Sequence, residues 1–117
     1  MSFIREENPE EIKSLLKNYR KEDIRFNDPH FENQLFVREG NKDEVIKNLL
    51  NPENLVYTYS EKGKYGDTIH CLHFKISNTR TMKLPIIFDR KNRKCLYIIT
   101  YIMRHRHWEN MVRRKPR

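Results

Sequence analysis

Glycine, proline, cysteine and tryptophan are all scarce in this chain of 117 residues. Three glycines and five prolines exclude a collagen-like repeat and a low-complexity chain rich in these residues. Two cysteines, Cys71 and Cys95, are too few for a disulfide scaffold, and neither belongs to a Cys-x-x-Cys pair. We therefore expect two buried free thiols, no metal site and no cofactor.

Long apolar runs and a targeting sequence are missing as well. The longest uncharged apolar stretch, residues 95–103, has less than half of the about 20 residues that a membrane-spanning helix needs. The N-terminal residues lack the basic start, apolar middle and small-residue cleavage site of a signal peptide. These absences predict a cytoplasmic protein with no membrane partner.

Positive charge, in contrast, is abundant. The chain has 24 Lys and Arg against 16 Asp and Glu, a formal charge of +8. Residues 104–117 hold six of these cations and one acid, so this segment alone carries +5. Such a chain attracts polyanions, of which nucleic acids are the commonest. The sequence therefore predicts a basic C-terminal tail that binds RNA or other nucleic acid.

The first half of the chain has the periodicity of helices. Asn8-Pro9-Glu10-Glu11 is typical of a helix start, because Asn caps, Pro suits the first turn and acids favour the positive end of the dipole. Apolar residues then recur at helical spacing and predict a helix over 9–21, followed by helices over 29–38 and 42–50. The predicted buried side chains are Ile12, Leu15, Leu16 and Tyr19, then Phe31, Leu35 and Val37, then Val45, Ile46, Leu49 and Leu50.

Beyond Pro52 the apolar residues alternate, which indicates strands. The predicted strands are 55–60, 67–77, 83–89 and 95–103, with a short strand near 24–27 at the edge. Pro85 has no N–H to donate, so its strand needs a bulge or a free side there. The sequence predicts one α+β domain, with N-terminal helices packed on a four- to five-stranded, mainly antiparallel sheet. The apolar stripe of helix 9–21 must be buried on its own sheet, on a second copy or on a partner protein.

Motifs of the common enzyme classes are absent. There is no Gly-x-Ser-x-Gly, Walker A, Rossmann glycine pattern or His-Glu-x-x-His. His70 and His73 would point to opposite faces of a strand, which disfavours a metal pair. Metal-independent cleavage of RNA requires groups that take and give a proton, and cations that hold the phosphate. The candidates for proton transfer are His73, Tyr97, Tyr101 and His105, and those for binding nucleic acid are Arg38, Lys75, Arg104, Arg106, Trp108, Arg113 and Arg114.

Two segments resemble the small single-domain proteins of the RelE/ParE-like toxin superfamily, nearest to the BrnT-type and related uncharacterised proteins. One runs from His30 to Arg38 and continues with the acid-rich stretch from Asp43 to Pro52. The other comprises residues 84–89, a polar turn and residues 96–101. Gln34 and Glu39-Gly40 depart from the family pattern, which has Arg and Gly-Ile there. The resemblance covers about residues 24–103 and leaves helix 9–21 and tail 104–117 as additions.

This resemblance implies a RelE-like arrangement of helices on a small sheet and metal-independent cleavage of RNA, often on the ribosome. It also implies neutralisation by a cognate antitoxin. An alternative from another class is a non-catalytic module that binds nucleic acid or a protein partner on the same scaffold. The expected partners are RNA or other nucleic acid, and an antitoxin or a second copy bound through helix 9–21.

Overall fold

The computed structural model describes residues 4–106 of the chain. In this range, three α-helices lie on one face of a seven-stranded mixed sheet, so the predicted α+β class is confirmed. The helices are α1 (Pro9–Leu16), α2 (His30–Val37) and α3 (Lys42–Leu50). The strands are β1 (Ile4–Glu7), β2 (Ile24–Phe26), β3 (Leu55–Lys62), β4 (Thr68–Ser77), β5 (Arg80–Phe88), β6 (Leu96–Ile98) and β7 (Ile102–Arg104). None of these helices is long and apolar enough to cross a membrane.

The strands lie in the order β1-β3-β4-β5-β6-β2, and β7 also pairs with β5. Every pairing is antiparallel except that of β2 with β6, which is parallel. Strands β6 and β7 pair with different halves of β5, the first with Ile86–Phe88 and the second with Thr81–Lys83. The single strand predicted over 95–103 is therefore two short strands with an interruption between them.

Pro85 lies at this interruption, between the two halves of β5. It pairs with Cys71 of β4 on one side, and on the other its carbonyl accepts a hydrogen bond from the Ile99 backbone N–H at 3.0 Å. A proline cannot return that bond, so the ladder on this side cannot run unbroken through the position. The pairing register shifts by one residue between Ile86, which faces Ile98, and Lys83, which faces Ile102. Of the bulge or free side expected at Pro85, the structure therefore has a bulge, with the extra residue in the segment between β6 and β7.

The main hydrophobic core fills the space between the helices and the sheet. Alternate strand residues point into it, as the two-residue period of a strand requires. Its buried members include Ile12 and Leu16 of α1, Phe31 and Leu35 of α2, Val45 and Leu49 of α3, and Leu72, Phe74, Met82, Leu84, Ile86, Leu96, Ile98 and Tyr101 of the sheet region.

Helix α1 is shorter than predicted, and its stripe is narrower. It ends at Leu16 rather than at residue 21, so Tyr19 lies beyond it, with its ring centroid 5.7 Å from that of Phe88. Ile12 and Leu16 are buried against the sheet of the same chain, whereas Leu15 is 44% exposed. The sequence left three surfaces open for this helix: its own sheet, a second copy or a partner protein. The structure shows that its two inward side chains are buried on its own sheet.

Two other predicted core residues are exposed. Val37 is two residues beyond Leu35 in α2, so it points away from the stripe that Phe31 and Leu35 share. Leu50 lies at the last position of α3 and is partly exposed. Near the end of α3 the buried side chain is instead that of Asn48, whose amide donates to the Glu44 carbonyl at 2.8 Å.

The sheet extends beyond both ends of the predicted core. Strand β1 was not predicted, and it pairs with β3 at one edge of the sheet. Its Glu7 carboxylate accepts from the Thr58 hydroxyl at 3.0 Å and bonds His70 Nδ1 at 2.9 Å. At the other end Arg104 belongs to β7, so the tail does not begin at residue 104 as predicted. Residues 107–117 of that tail lie outside the described residues.

Candidate nucleic-acid interface

The face of the sheet opposite the helices carries a different set of side chains. Tyr57, Tyr59 and Cys71 form a small second cluster there, with Ile69 packed against it. Nearer the β2 edge the same face carries Tyr97 of β6, which pairs with Arg25 of β2. Because β2 and β6 are parallel, Arg25 and Tyr97 stand side by side although 72 residues separate them. The β5–β6 loop reaches the same edge of the sheet.

A groove of about 600 Å³ lies at this edge, and we call it the basic groove. Its lining residues are Arg25, Phe26, Arg90, Lys91, Arg93, Lys94, Cys95 and Tyr97. Five of these are cationic and none is acidic. Two are aromatic, so the groove combines a positive potential with flat apolar surface.

The shape of the β5–β6 loop is fixed by Asp89. Its carboxylate accepts a hydrogen bond from the Tyr19 hydroxyl at 2.8 Å and another from the Cys95 backbone N–H at 3.2 Å. Burial and the bond to Asp89 raise the pKa of Tyr19, so its hydroxyl stays protonated and continues to donate. The loop also has left-handed backbone at Asp89, Lys91 and Asn92, with φ of 52°, 59° and 59°. Asp and Asn tolerate this conformation better than Lys does.

Arg90 and Tyr97 form a stacked pair in the middle of the site. The guanidinium carbon of Arg90 lies 4.1 Å from the centroid of the Tyr97 ring, a cation–π contact. The Tyr97 hydroxyl donates to Asn27 Oδ1 at 2.9 Å, and Asn27 Nδ2 donates to the Ile99 carbonyl at 3.2 Å. The Tyr97 ring is thus contacted on its face by Arg90 and fixed at its hydroxyl by Asn27. A stacked guanidinium keeps its N–H donors available for phosphate.

The positive charge of the groove is little neutralised by other described residues. Lys94 Nζ lies 3.9 Å from an Asp23 carboxylate oxygen, but the lysine side chain is 60% exposed and such a pair contributes little. Arg25 donates from one guanidinium nitrogen to the backbone carbonyls of Glu22 and Ile24. Arg25 is therefore a fixed part of the wall, and the loop residues 90–94 supply the cations that can move to meet a ligand.

The four predicted proton-transfer residues are not brought together. Tyr97 lines the basic groove. Tyr101 is fully buried on the helix side of the sheet, and burial together with nearby Glu44 raises the pKa of its hydroxyl. His73 is buried on the opposite face, with its ring 5.3 Å from that of Tyr57. His105 is exposed just beyond β7. These side chains therefore do not surround one reacting group.

The predicted binding residues are also separated from the groove. Arg38 is exposed at the C-terminal end of α2, and Arg106 is exposed beyond β7. Lys75 and Arg104 both pair with Thr81, one from each side, so they lie in one row across β4, β5 and β7. None of these four lines the basic groove. Trp108, Arg113 and Arg114 lie outside the described residues.

The groove's cations were missed in the sequence, although a signal was present. Residues 90–94 place four cations in five positions, a density that matches the tail, and they were interpreted only as a polar turn. Arg25 gave no such signal, because its position depends on the parallel pairing of β2 with β6.

Away from the groove, a polar contact joins the two segments that resemble the toxin superfamily. His30 Nε2 at the start of α2 lies 3.1 Å from Thr100 Oγ1. Thr100 is in the interruption between β6 and β7, where the backbone leaves the ladder with β5. The break next to Pro85 therefore places Thr100 beside the first residue of α2.

The described part of the chain is thus an α+β protein with a cationic groove at the β2 edge of its sheet. No family model, curated protein or solved structure matches the chain.

Proposed function

We propose that this protein binds nucleic acid, and RNA in particular, through the basic groove. The observation that carries the proposal is the lining of the groove, with five cations, Tyr97 and no acidic side chain. Phosphates would lie along the loop of residues 90–94, beside the stacked Arg90 and Tyr97. The proposal corresponds to the non-catalytic module expected as an alternative, but the cations that bind the ligand are those of the basic groove and not those predicted from the sequence.

The chemistry of the groove lining suits a nucleic-acid strand. Each phosphate neutralised by Lys or Arg releases condensed counterions, so affinity grows with the number of contacts and falls with salt. Guanidinium groups add paired donors, and an aromatic ring adds a surface on which a base can stack. Asp89 holds the loop in one shape before the ligand arrives. Binding therefore requires little further ordering of the backbone.

Neutralising two groove cations is expected to weaken RNA binding about tenfold and to reduce the slope of log K against log salt by about 1.4. The variant is Arg93→Gln/Lys94→Gln, at two exposed positions of the loop. The matched control, Arg5→Gln/Lys47→Gln, removes one Arg and one Lys from β1 and α3, away from the groove. Fluorescence anisotropy with a labelled single-stranded RNA, titrated at several salt concentrations, measures both quantities.

The control distinguishes the groove from net charge, because both variants carry the same total charge. We expect the control to retain the affinity of the wild-type protein within about twofold, since long-range charge is screened beyond about 10 Å. Equal losses in the two variants would show that binding follows overall charge, and the groove proposal would then be rejected.

A second proposal is that the chain is a RelE-like toxin that cleaves RNA without a metal and is neutralised by an antitoxin. The specific observation in its favour is the contact between His30 and Thr100, which joins the two segments that resemble the toxin superfamily. His30 is exposed, and an imidazole is a common acid–base group in catalysis. Arg38 is exposed just beyond the C-terminal end of α2 and could hold a phosphate of the bound RNA.

Cleavage in the presence of EDTA is the test of this second proposal. We expect the wild-type protein to cut RNA and His30→Ala to cut it at least about 100-fold more slowly, the usual loss when an acid–base group is removed. The double variant His73→Ala/His105→Ala tests the two histidines predicted from the sequence. RNA left intact by the wild-type protein, with no growth arrest on expression, would exclude the nuclease and leave the binding proposal standing.

A further inference from the structure

A second cavity of about 310 Å³ adjoins the basic groove, and we call it the side pocket. Arg90 and Tyr97 line both cavities, so this stacked pair is the wall between them. The rest of the pocket is of different character. Ile69, Ile87 and Ile99 give it apolar surface, and Tyr65 lies at its rim.

Tyr65 is the most exposed large hydrophobic residue among those described, with 86% of its surface in solvent. It lies in the turn between β3 and β4, where Lys64 Nζ is 5.8 Å from its ring centroid. The ring adds nothing to the core. An exposed aromatic ring beside a cation offers a stacking surface to a ligand that is both planar and anionic.

The polar lining of the pocket narrows the class of ligand. The side-chain amide of Asn27 is already used, since its oxygen accepts from Tyr97 and its nitrogen donates to the Ile99 carbonyl. The pocket therefore presents isoleucine side chains and tyrosine rings, with Lys64 and Asp67 as its remaining polar side chains apart from Arg90. This combination suits a flat, mostly apolar group with a few polar atoms at its edge.

We propose that the side pocket takes one unstacked nucleobase from a nucleic-acid strand whose phosphates lie in the basic groove. The proposal rests on the proposed function, because it needs the backbone in the groove. Arg90 and Tyr97 line both cavities, so the two cavities are adjacent. A nucleotide could therefore place its phosphate in the basic groove and its base in the side pocket at the same time. A base inside a duplex is stacked and paired and cannot enter, so the ligand is single-stranded.

The experiment compares three ligands of equal length: a single-stranded RNA, the corresponding RNA duplex, and an abasic ribose-phosphate strand that keeps every phosphate. We expect the single strand to bind about tenfold more tightly than the other two at the same salt concentration, the usual effect of losing one base–aromatic stack. Equal or tighter binding of the duplex or the abasic strand would overturn the proposal.

Tyr65 provides the matched variants. Tyr65→Ala is expected to weaken binding of the single strand about tenfold and to leave binding of the abasic strand unchanged. Tyr65→Phe keeps the ring and is expected to bind all three ligands as the wild-type protein does. The side chain is so exposed that neither change should alter the thermal midpoint by more than a degree or two.

The failures of the two proposals are distinguishable. If Arg93→Gln/Lys94→Gln weakens binding of all three ligands while Tyr65→Ala weakens none, the groove holds phosphates and the side pocket holds no base. If none of the three ligands binds to the wild-type protein, the proposed function and the base pocket are both rejected.

Discussion

Replacing Leu16 with alanine is expected to lower the free energy of unfolding by about 3 kcal/mol, a loss typical of a buried leucine. Leu16 is 1% exposed and belongs to the core that α1 shares with the sheet. Its neighbour Leu15 is 44% exposed, so Leu15→Ala is a control with the same chemistry at the next position of the same helix. We expect that variant to lose less than about 1 kcal/mol. Urea denaturation followed by circular dichroism measures both.

The comparison also tests where α1 docks. If α1 were held mainly by a second copy or by a partner protein, Leu16→Ala would not change the free energy of unfolding of the isolated chain. Similar losses for the two leucines, or no loss for either, would contradict the intramolecular docking of α1. A midpoint that rises with protein concentration would point to a second copy.

The substitution Gly40→Val is expected to lower the free energy of unfolding by about 3 kcal/mol through overpacking. A Cβ at Gly40 would lie 2.7 Å from Cε2 and Cζ of Tyr101, and 2.8 Å from Cδ1 of Leu35. The Tyr101 ring is fully buried and stacks edge-on against Phe31, with centroids 6.3 Å apart, so it has no open space to move into. Calorimetry or urea denaturation of Gly40→Val measures the loss.

A double-mutant cycle assigns that loss to the contact with Tyr101. Tyr101→Ala opens the space that the valine needs, so the double variant Gly40→Val/Tyr101→Ala should be more stable than the sum of the single losses predicts. We expect a coupling of at least about 1 kcal/mol. Strict additivity would show that valine destabilises the loop for a reason unrelated to Tyr101.

Local signals in the sequence predicted much of the fold. Helix α3 was predicted at its observed bounds, and α2 within a residue at each end. The start of α3 is explained by Asn41, whose side chain accepts from the N–H groups of Asp43 and Glu44. Strands β3 and β4 showed clear alternation. In each case the side chains that determine the element are neighbours in the sequence.

The elements that were missed depend on distant partners. Strand β1 is mostly charged and has no apolar alternation, and it is held by pairing with β3 and by Glu7 on Thr58 and His70. The division between β6 and β7 is determined by a proline in the neighbouring strand, not by any residue of their own. A residue-by-residue pattern contains neither kind of information.

The candidate site was predicted less well than the fold. Of the described residues proposed for catalysis or binding, only Tyr97 lines the basic groove. The charge distribution favoured residues 104–117, because that segment alone carries +5 of the net charge of +8, whereas the cations of residues 90–94 were interpreted as part of a polar turn. A groove is formed by residues that share a surface in the folded chain. The parallel pairing of β2 with β6 brings Arg25 to the same surface as Tyr97 and the loop.

The hydrogen bond from Tyr19 to Asp89 ties the β5–β6 loop to a residue that precedes β2 in the chain. Tyr19 lies outside the segment that resembles the toxin superfamily, and it does not line the groove. Tyr19→Phe would keep every cation of the groove and the ring beside Phe88, and would lose the hydroxyl that holds Asp89. Asp89 would then keep only its bond from the Cys95 N–H, and each loop residue freed by the loss would have to be ordered again when the ligand binds, at an entropic cost of about 1–2 kcal/mol. The segment before β2 thus supports the basic groove from behind, through the Tyr19 hydroxyl on Asp89 and the Tyr19 ring beside Lys94.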